Sequence, residues 1–182
     1  MKGVILAIGI GLLTGGSPSA QTRPERGTTG TAPMTTASAT LTDAQGRSVG
    51  EARLQGTPHG VLLKLELRNA RPGVHAVHIH EVGECEAPSF DSAGEHFAPS
   101  TLRHGFLQAH GPHAGDLPNI DVPTTKQLSV EHLVPDVTLE PGPRSLLDAD
   151  GSALVIHAGK DDYTTDPAGD SGDRIACGAI VK

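Results

Sequence analysis

Val61-Leu62-Leu63-Lys64-Leu65-Glu66-Leu67, then Arg71-Pro72-Gly73, then Val77-His78-Ile79-His80: these pieces of the stretch 61–80 decide the fold. After Leu62, apolar and polar residues alternate with the period of a half-buried strand. Arg71-Pro72-Gly73 is a turn. On a strand, side chains two apart project from the same face. Val77 and Ile79 therefore point into a core, while His78 and His80 stand side by side on the opposite face. This is a chelating pair backed by a hydrophobic wall.

Upstream, Ala39-Thr40-Leu41-Thr42 and Gly50-Glu51-Ala52-Arg53-Leu54 flank Asp43-Ala44-Gln45-Gly46, a hairpin signal. Downstream, strands are expected at Gln127–Leu133 and Val137–Leu139 around Pro135; Ser145-Leu146-Leu147 then leads through Asp148-Ala149-Asp150-Gly151 to a strand at Ala153–His157, and Arg174–Val181 is the closing strand. Short alternating runs without helical periodicity predict an all-β domain, an antiparallel sandwich or flattened barrel of about eight strands. Hydrophobic residues make up 36% of the chain and aromatics 2%, with no Trp, so the core must come from Val, Leu, Ile and Ala. The 23 Gly and 14 Pro favour turns and loops over long helices. The formal charge is −7 with no basic stripe, which excludes nucleic-acid binding.

Residues 1–20 read as an export signal: Lys2, an apolar run from Val4 to Leu13, then the small residues Ser17, Ser19 and Ala20. The run is too short to span a bilayer, which needs about 20 apolar residues. No Cys lies near it, so no stable membrane anchor is expected; an uncleaved tether is the alternative. Residues 21–36, rich in Thr, Gly and Pro, lack a hydrophobic period and read as a disordered linker before a domain at 37–182. An exported protein, periplasmic or extracellular, follows from this reading.

From Glu81 to Ile120 the alternation fades. A loop this long calls for a function. Ordering it unaided would cost on the order of 1–2 kcal/mol per residue in backbone entropy. His96, His104, His113 and Asp116 would tie it down if they held metal, and metal binding and loop ordering would then be one event. A lone histidine is more often a hydrogen-bonded residue than a ligand, but so many donors between 78 and 116 are not independent accidents. Three imidazoles and a carboxylate suit four-coordinate zinc, and the further imidazoles suit copper. His157 closes an apolar strand at a point where it could meet His78 and His80. Cys85 and Cys177 are the only cysteines, and in an exported chain they most simply form one disulfide. Closing so long a loop is worth roughly 4–5 kcal/mol by chain entropy. The alternative is a cysteine ligand, for which the imidazoles leave little need.

From about Ala37 to Lys182 the chain resembles the copper/zinc superoxide dismutases, most closely the exported bacterial type. The resemblance rests on His78-Ile79-His80-Glu81-Val82-Gly83, Ser92-Ala93-Gly94-Glu95-His96-Phe97, His104-Gly105 and Gly111-Pro112-His113-Ala114-Gly115-Asp116-Leu117-Pro118. It continues in Leu146 to Gly159 and in Gly172-Asp173-Arg174-Ile175-Ala176-Cys177-Gly178. It implies a Greek-key β-sandwich with two long functional loops. One copper would be held by His78, His80, His96 and His157, and one zinc by His96, His104, His113 and Asp116, with His96 bridging. Asp161 matches a carboxylate that orients His78 and His104, Arg174 matches the arginine beside copper, and Cys85–Cys177 matches the family disulfide. The implied activity is disproportionation of superoxide, with Arg174 receiving the anion and His96 carrying a proton.

Two departures stand out. Thr164 lies where many relatives place a lysine, and the 158–173 loop sets five Asp residues against Lys160, so Arg174 is expected to act locally. Ala98 replaces an Asn that commonly follows His-Phe. His59, His75, His110 and His132 match no ligand position, His110 being the nearest outsider. The rival function is a non-catalytic copper/zinc-binding or copper-delivery module on the same fold. The resemblance covers monomers and homodimers alike.

Overall fold

In the computed structural model the described residues are Gly3, 34–100 and 103–182. Apart from Gly3, the expected export signal lies outside them, as does nearly all of the expected linker. The first strand, β1 (Thr36–Asp43), begins one residue inside that linker. It is followed by β2 (Ser48–Thr57), β3 (Gly60–Arg68), β4 (Gly73–His75) and β5 (Val77–His80). Then come β6 (Ile120–Val122), β7 (Gln127–Val134), β8 (Ala153–His157) and β9 (Arg174–Ala179). The only helical piece among the described residues is a single 3₁₀ turn at Asp91–Ala93.

Seven strands form one antiparallel sheet in the order β5-β8-β9-β1-β2-β3-β7, and β4 pairs with β6 in a small second sheet. β1, β2 and β3 pair in sequence as a meander, and the last strand, β9, returns to lie beside β1, so the two ends of the domain meet in one sheet. Asp43 sets the first hairpin: its Oδ1 accepts the backbone N–H of Gln45 (3.0 Å) and Arg47 (2.9 Å). In β3 the buried residues are Val61, Leu63, Leu65 and Leu67, every second position, as the alternation predicts. They share one core with Val77 and Ile79 of β5, so the sheet curls until its two halves face each other. The core is aliphatic apart from Phe97, with Phe90 in a small satellite cluster.

One expected element is absent. Val137–Leu139 makes only an isolated bridge, Thr138 to Ser145, because Pro135 and Pro141-Gly142-Pro143 interrupt the ladder on both sides. Val137, Leu139 and Leu146 are nonetheless buried and plug the core.

Cys85 and Cys177 form a disulfide across 92 residues, with Cα atoms 5.6 Å apart, which removes the alternative of a cysteine ligand. It fastens the base of the long loop to β9. The far part of that loop covers the free edge of β5. Ile79 N–H donates to Gly115 O (2.9 Å), Phe97 N–H to Ile79 O (2.8 Å) and Gly115 N–H to Phe97 O (2.9 Å). The loop thus becomes a makeshift neighbouring strand, which satisfies edge groups that would otherwise be open to another chain. Such close approach needs Gly115, since a Cβ there would collide with the Ile79 carbonyl.

Gly115→Ala is expected to lower stability by about 1–3 kcal/mol, the range for overpacking, and to loosen metal retention. Thermal unfolding and metal content of the purified variant check it; an unchanged melting temperature would contradict the packing.

Candidate metal centre

Strand pairing puts the first donors together. His78 and His80 lie on β5 opposite Val155 and Ala153 of β8, whose last residue is His157. His80 also bridges to His96 and His78 to Asp116, through the loop that lines the β5 edge. All of these side chains are buried. Ring centroids are 4.0 Å apart for His78 and His96, 4.9 Å for His80 and His96, and 4.9 Å for His78 and His157.

Each of these four rings has one nitrogen committed and one left bare. His78 Nε2–H donates to Asp161 Oδ2 (3.0 Å), and His80 Nδ1–H donates to the carbonyl of Gly94 (2.9 Å). His157 Nδ1–H donates to the carbonyl of Gly172 (3.1 Å), and His96 Nδ1–H to Asp116 Oδ1 (2.9 Å). The hydrogen bonds therefore fix each tautomer. His78 Nδ1, His80 Nε2, His96 Nε2 and His157 Nε2 are buried without a partner. One ligand atom from each of these residues lies within 4.8 Å of the others. Four lone pairs aimed into one dry space fit a soft, imidazole-loving cation.

The second cluster centres on Asp116 Oδ1. His96 Nδ1, His104 Nδ1 and His113 Nδ1 lie 2.9, 3.1 and 3.4 Å from it. Four donors around an ion at about 2.0 Å in a tetrahedron are separated by about 3.3 Å, so these spacings suit zinc. Asp116 Oδ2 is held by the backbone N–H of Gly105 (2.9 Å) and His113 (3.0 Å), which aims Oδ1 inward. His78 also lies close to His96, His104 and Asp116. With its Nε2 committed to Asp161, however, its bare Nδ1 belongs with the first cluster, and His113 is the fourth member of the second. His96 takes part in both, one nitrogen facing each cluster.

Asp161 spans the two clusters, since its Oδ1 accepts from His104 Nε2 (2.9 Å) as Oδ2 does from His78. Gly169, at φ 67°, lies over this carboxylate where a Cβ would strike it. Arg174 opens β9 beside the first cluster. Its guanidinium donates to the carbonyls of Phe90 and Gly94, 2.7 Å each. Gly94 O is thus shared by His80 and Arg174.

Every donor expected from sequence is in one of the two clusters. His59 and His110 are exposed, and His132 lies half-buried on β7. Three further residues contribute: His75, which matches no ligand position, and Asn119 and Tyr163, which no motif marks. His75 is buried, with Nδ1 2.8 Å from His157 O. Asn119 brackets the backbone of Asp161, its Nδ2 donating to Asp161 O and its Oδ1 accepting from Asp161 N, both 2.8 Å. Tyr163 joins the two long loops. Their bonds run to backbone groups or between loops, so no local spacing signals them.

Burial shapes the proton inventory. Desolvation holds His96 down at about 4, against its bond to Asp116. Desolvation, with Arg174 among the smaller causes, holds His80 at about 2 and His157 at about 3. His78 is lowered too, mainly by burial. For His104, burial is outweighed by Asp116 and Asp161, which raise it to about 9. For both carboxylates, burial is outweighed by the surrounding imidazoles, which hold them well below the usual range. Without ions, then, a protonated His104 between two carboxylates stands in for missing positive charge.

The family model described as copper/zinc superoxide dismutase matches residues 48–180. The chain is 48% identical over 144 residues to superoxide dismutase [Cu-Zn] 1 of Aquifex aeolicus, covering 78% of this chain and 85% of that one. It is 44% identical over 147 residues to superoxide dismutase [Cu-Zn] of Caulobacter vibrioides, covering 79% and 84%. The solved structure of a SOD-like protein from Bacillus subtilis superposes with a TM-score of 0.76 at 38% identity, over 79% of this chain and 97% of that one. Cu/Zn superoxide dismutase from Brucella abortus shares the fold, with a TM-score of 0.63 at 24% identity over 80% and 99%.

The metal-free protein should have a maximum in stability near pH 6.5–7. Below 6.5 the unfolded chain protonates histidines that the fold keeps neutral, so stability falls towards pH 4. Above 6.5 the unfolded chain releases the proton that folded His104 keeps until about 9, so that contribution is lost as pH rises. Melting temperatures between pH 4 and 9 check this. A curve that climbs steadily with pH would contradict it.

Proposed function

The chain belongs to the copper/zinc superoxide dismutase family, and from that premise we propose how its own residues serve the disproportionation of two superoxides and two protons into oxygen and hydrogen peroxide. His78, His80, His96 and His157 hold copper, and His96, His104, His113 and Asp116 hold zinc. The observation that carries this reading is the set of four buried, unpartnered ring nitrogens facing one another. When bound, copper supplies the one-electron acceptor and donor, and zinc supplies fixed charge without redox chemistry.

Arg174 binds the substrate. A guanidinium stays charged at any relevant pH and has more N–H donors than its two carbonyl partners use. Those carbonyls fix its position, and the remaining N–H groups can hold a small anion beside His80 and His157. His96 moves the proton. Its Nε2 is the buried, bare nitrogen of a ring whose other nitrogen is committed to the cluster around Asp116, so a proton can be held there and given to the second superoxide without the ring turning. Asp161 keeps His78 and His104 in register, so neither cluster can rotate independently of the other.

The acidic loop does not build a field that draws anions from afar. Asp162 caps Thr164 N and Thr165 N, at 2.8 Å each, and Asp166 accepts from His104 N (2.8 Å). These charges organise the loop, and capture of superoxide falls to Arg174 at short range. The N-terminal signal pattern and the disulfide support an exported, periplasmic or extracellular site of action, where disulfides persist. Among the described residues no helix is long and apolar enough to cross a membrane.

Superoxide decay measured on copper-and-zinc-loaded protein, against zinc-only protein, separates the enzyme from a metal-carrying module. Rapid decay is expected only with copper, and equal rates would support the module. Arg174→Ala should lower kcat/KM by about 10-fold or more, the worth of a charge-assisted hydrogen bond, while copper content stays full. Full activity in that variant would remove Arg174 from substrate binding.

A further inference from the structure

Asp161 is held by Tyr163, and in a way that distinguishes its two oxygens. Tyr163 N–H donates to Asp161 Oδ1 (2.6 Å), the oxygen that faces His104, and not to Oδ2, which faces His78. The same residue reaches the other long loop with three more groups. Its hydroxyl accepts from Asn119 N–H (2.7 Å), its carbonyl accepts from Leu107 N–H (3.1 Å), and its ring lies 5.4 Å from that of Phe106. Its φ of 63° is a region that residues with a side chain rarely adopt, and such conformations persist where surrounding structure over-determines them. Gly105 lets the carbonyl approach, since a Cβ there would collide with it.

The placement of these contacts is lopsided. Leu107 lies three residues after His104 and Asn119 three after Asp116, so Tyr163 grips both ends of the segment carrying His104, His113 and Asp116. His78, His80 and His157 stand on β5 and β8, and none of the contacts described for Tyr163 involves those strands.

We propose that Tyr163 is a positioning residue for the zinc half of the centre alone, clamping the 104–119 segment and the His104-facing oxygen of Asp161 without touching the ion. The proposal rests on the zinc assignment of His104, His113 and Asp116. Loosening this clamp frees zinc, while copper stays on a frame of strands.

The test uses protein loaded with both metals and follows zinc release to a chromogenic chelator, with copper measured in the same samples. Tyr163→Phe removes the hydroxyl and keeps the ring against Phe106. It is expected to speed zinc release about 10-fold, the lower end for loss of an outer partner, with copper retained within about twofold. Zinc release at the wild-type rate, or equal loss of both metals, would overturn the proposal, the second by showing general loosening. Cobalt placed in the zinc position tests the assignment underneath. Wild-type protein should show tetrahedral visible bands that His113→Ala abolishes, and their absence would sink the zinc assignment and Tyr163's role with it.

Discussion

Four imidazole lone pairs cannot be buried face to face for nothing. His78 Nδ1, His80 Nε2, His96 Nε2 and His157 Nε2 have no hydrogen-bond partner, and each ring is prevented from turning by a bond from its other nitrogen. A buried polar atom left unsatisfied costs on the order of 1–3 kcal/mol, so four together are a large fraction of a domain's stability. A cation removes that cost, and the rest of the fold supplies the means of holding the nitrogens there.

Those means come in layers. The curled sheet provides two adjacent strands, β5 and β8, whose pairing brings three of the four rings together. The long loop brings the fourth, His96, by lying along the exposed edge of β5, where Gly115 and Phe97 complete the hydrogen bonds of Ile79. The disulfide secures the loop at its base, and Asp116 secures its far part by gathering three imidazoles and two backbone N–H groups. Asp161 then ties the clusters to one another from the second loop. Loop order and metal binding are one event because the ligands are also the loop's main tertiary contacts.

Much of this is written along the chain. Val61 to Leu67 and Val77 to His80 show their buried faces by alternation alone, and the ligands announce themselves because metal chemistry accepts few residue types. The apolar run Val137–Leu139 misled, since propensity cannot show that prolines on either side leave it no ladder to join. His75, Asn119 and Tyr163 were illegible for a related reason. They act through backbone carbonyls and N–H groups far away in sequence, and a side chain recognising backbone leaves no motif.

Thermal unfolding of metal-free protein during stepwise addition of zinc and then copper bears most directly on whether two clusters share His96. Ligands that bind only the folded chain raise its melting temperature until their sites are full. Two successive rises are predicted, one saturating at one equivalent of zinc and the next at one equivalent of copper per chain. Saturation after a single equivalent in total, or no rise with either metal, would contradict a paired centre built on one imidazole.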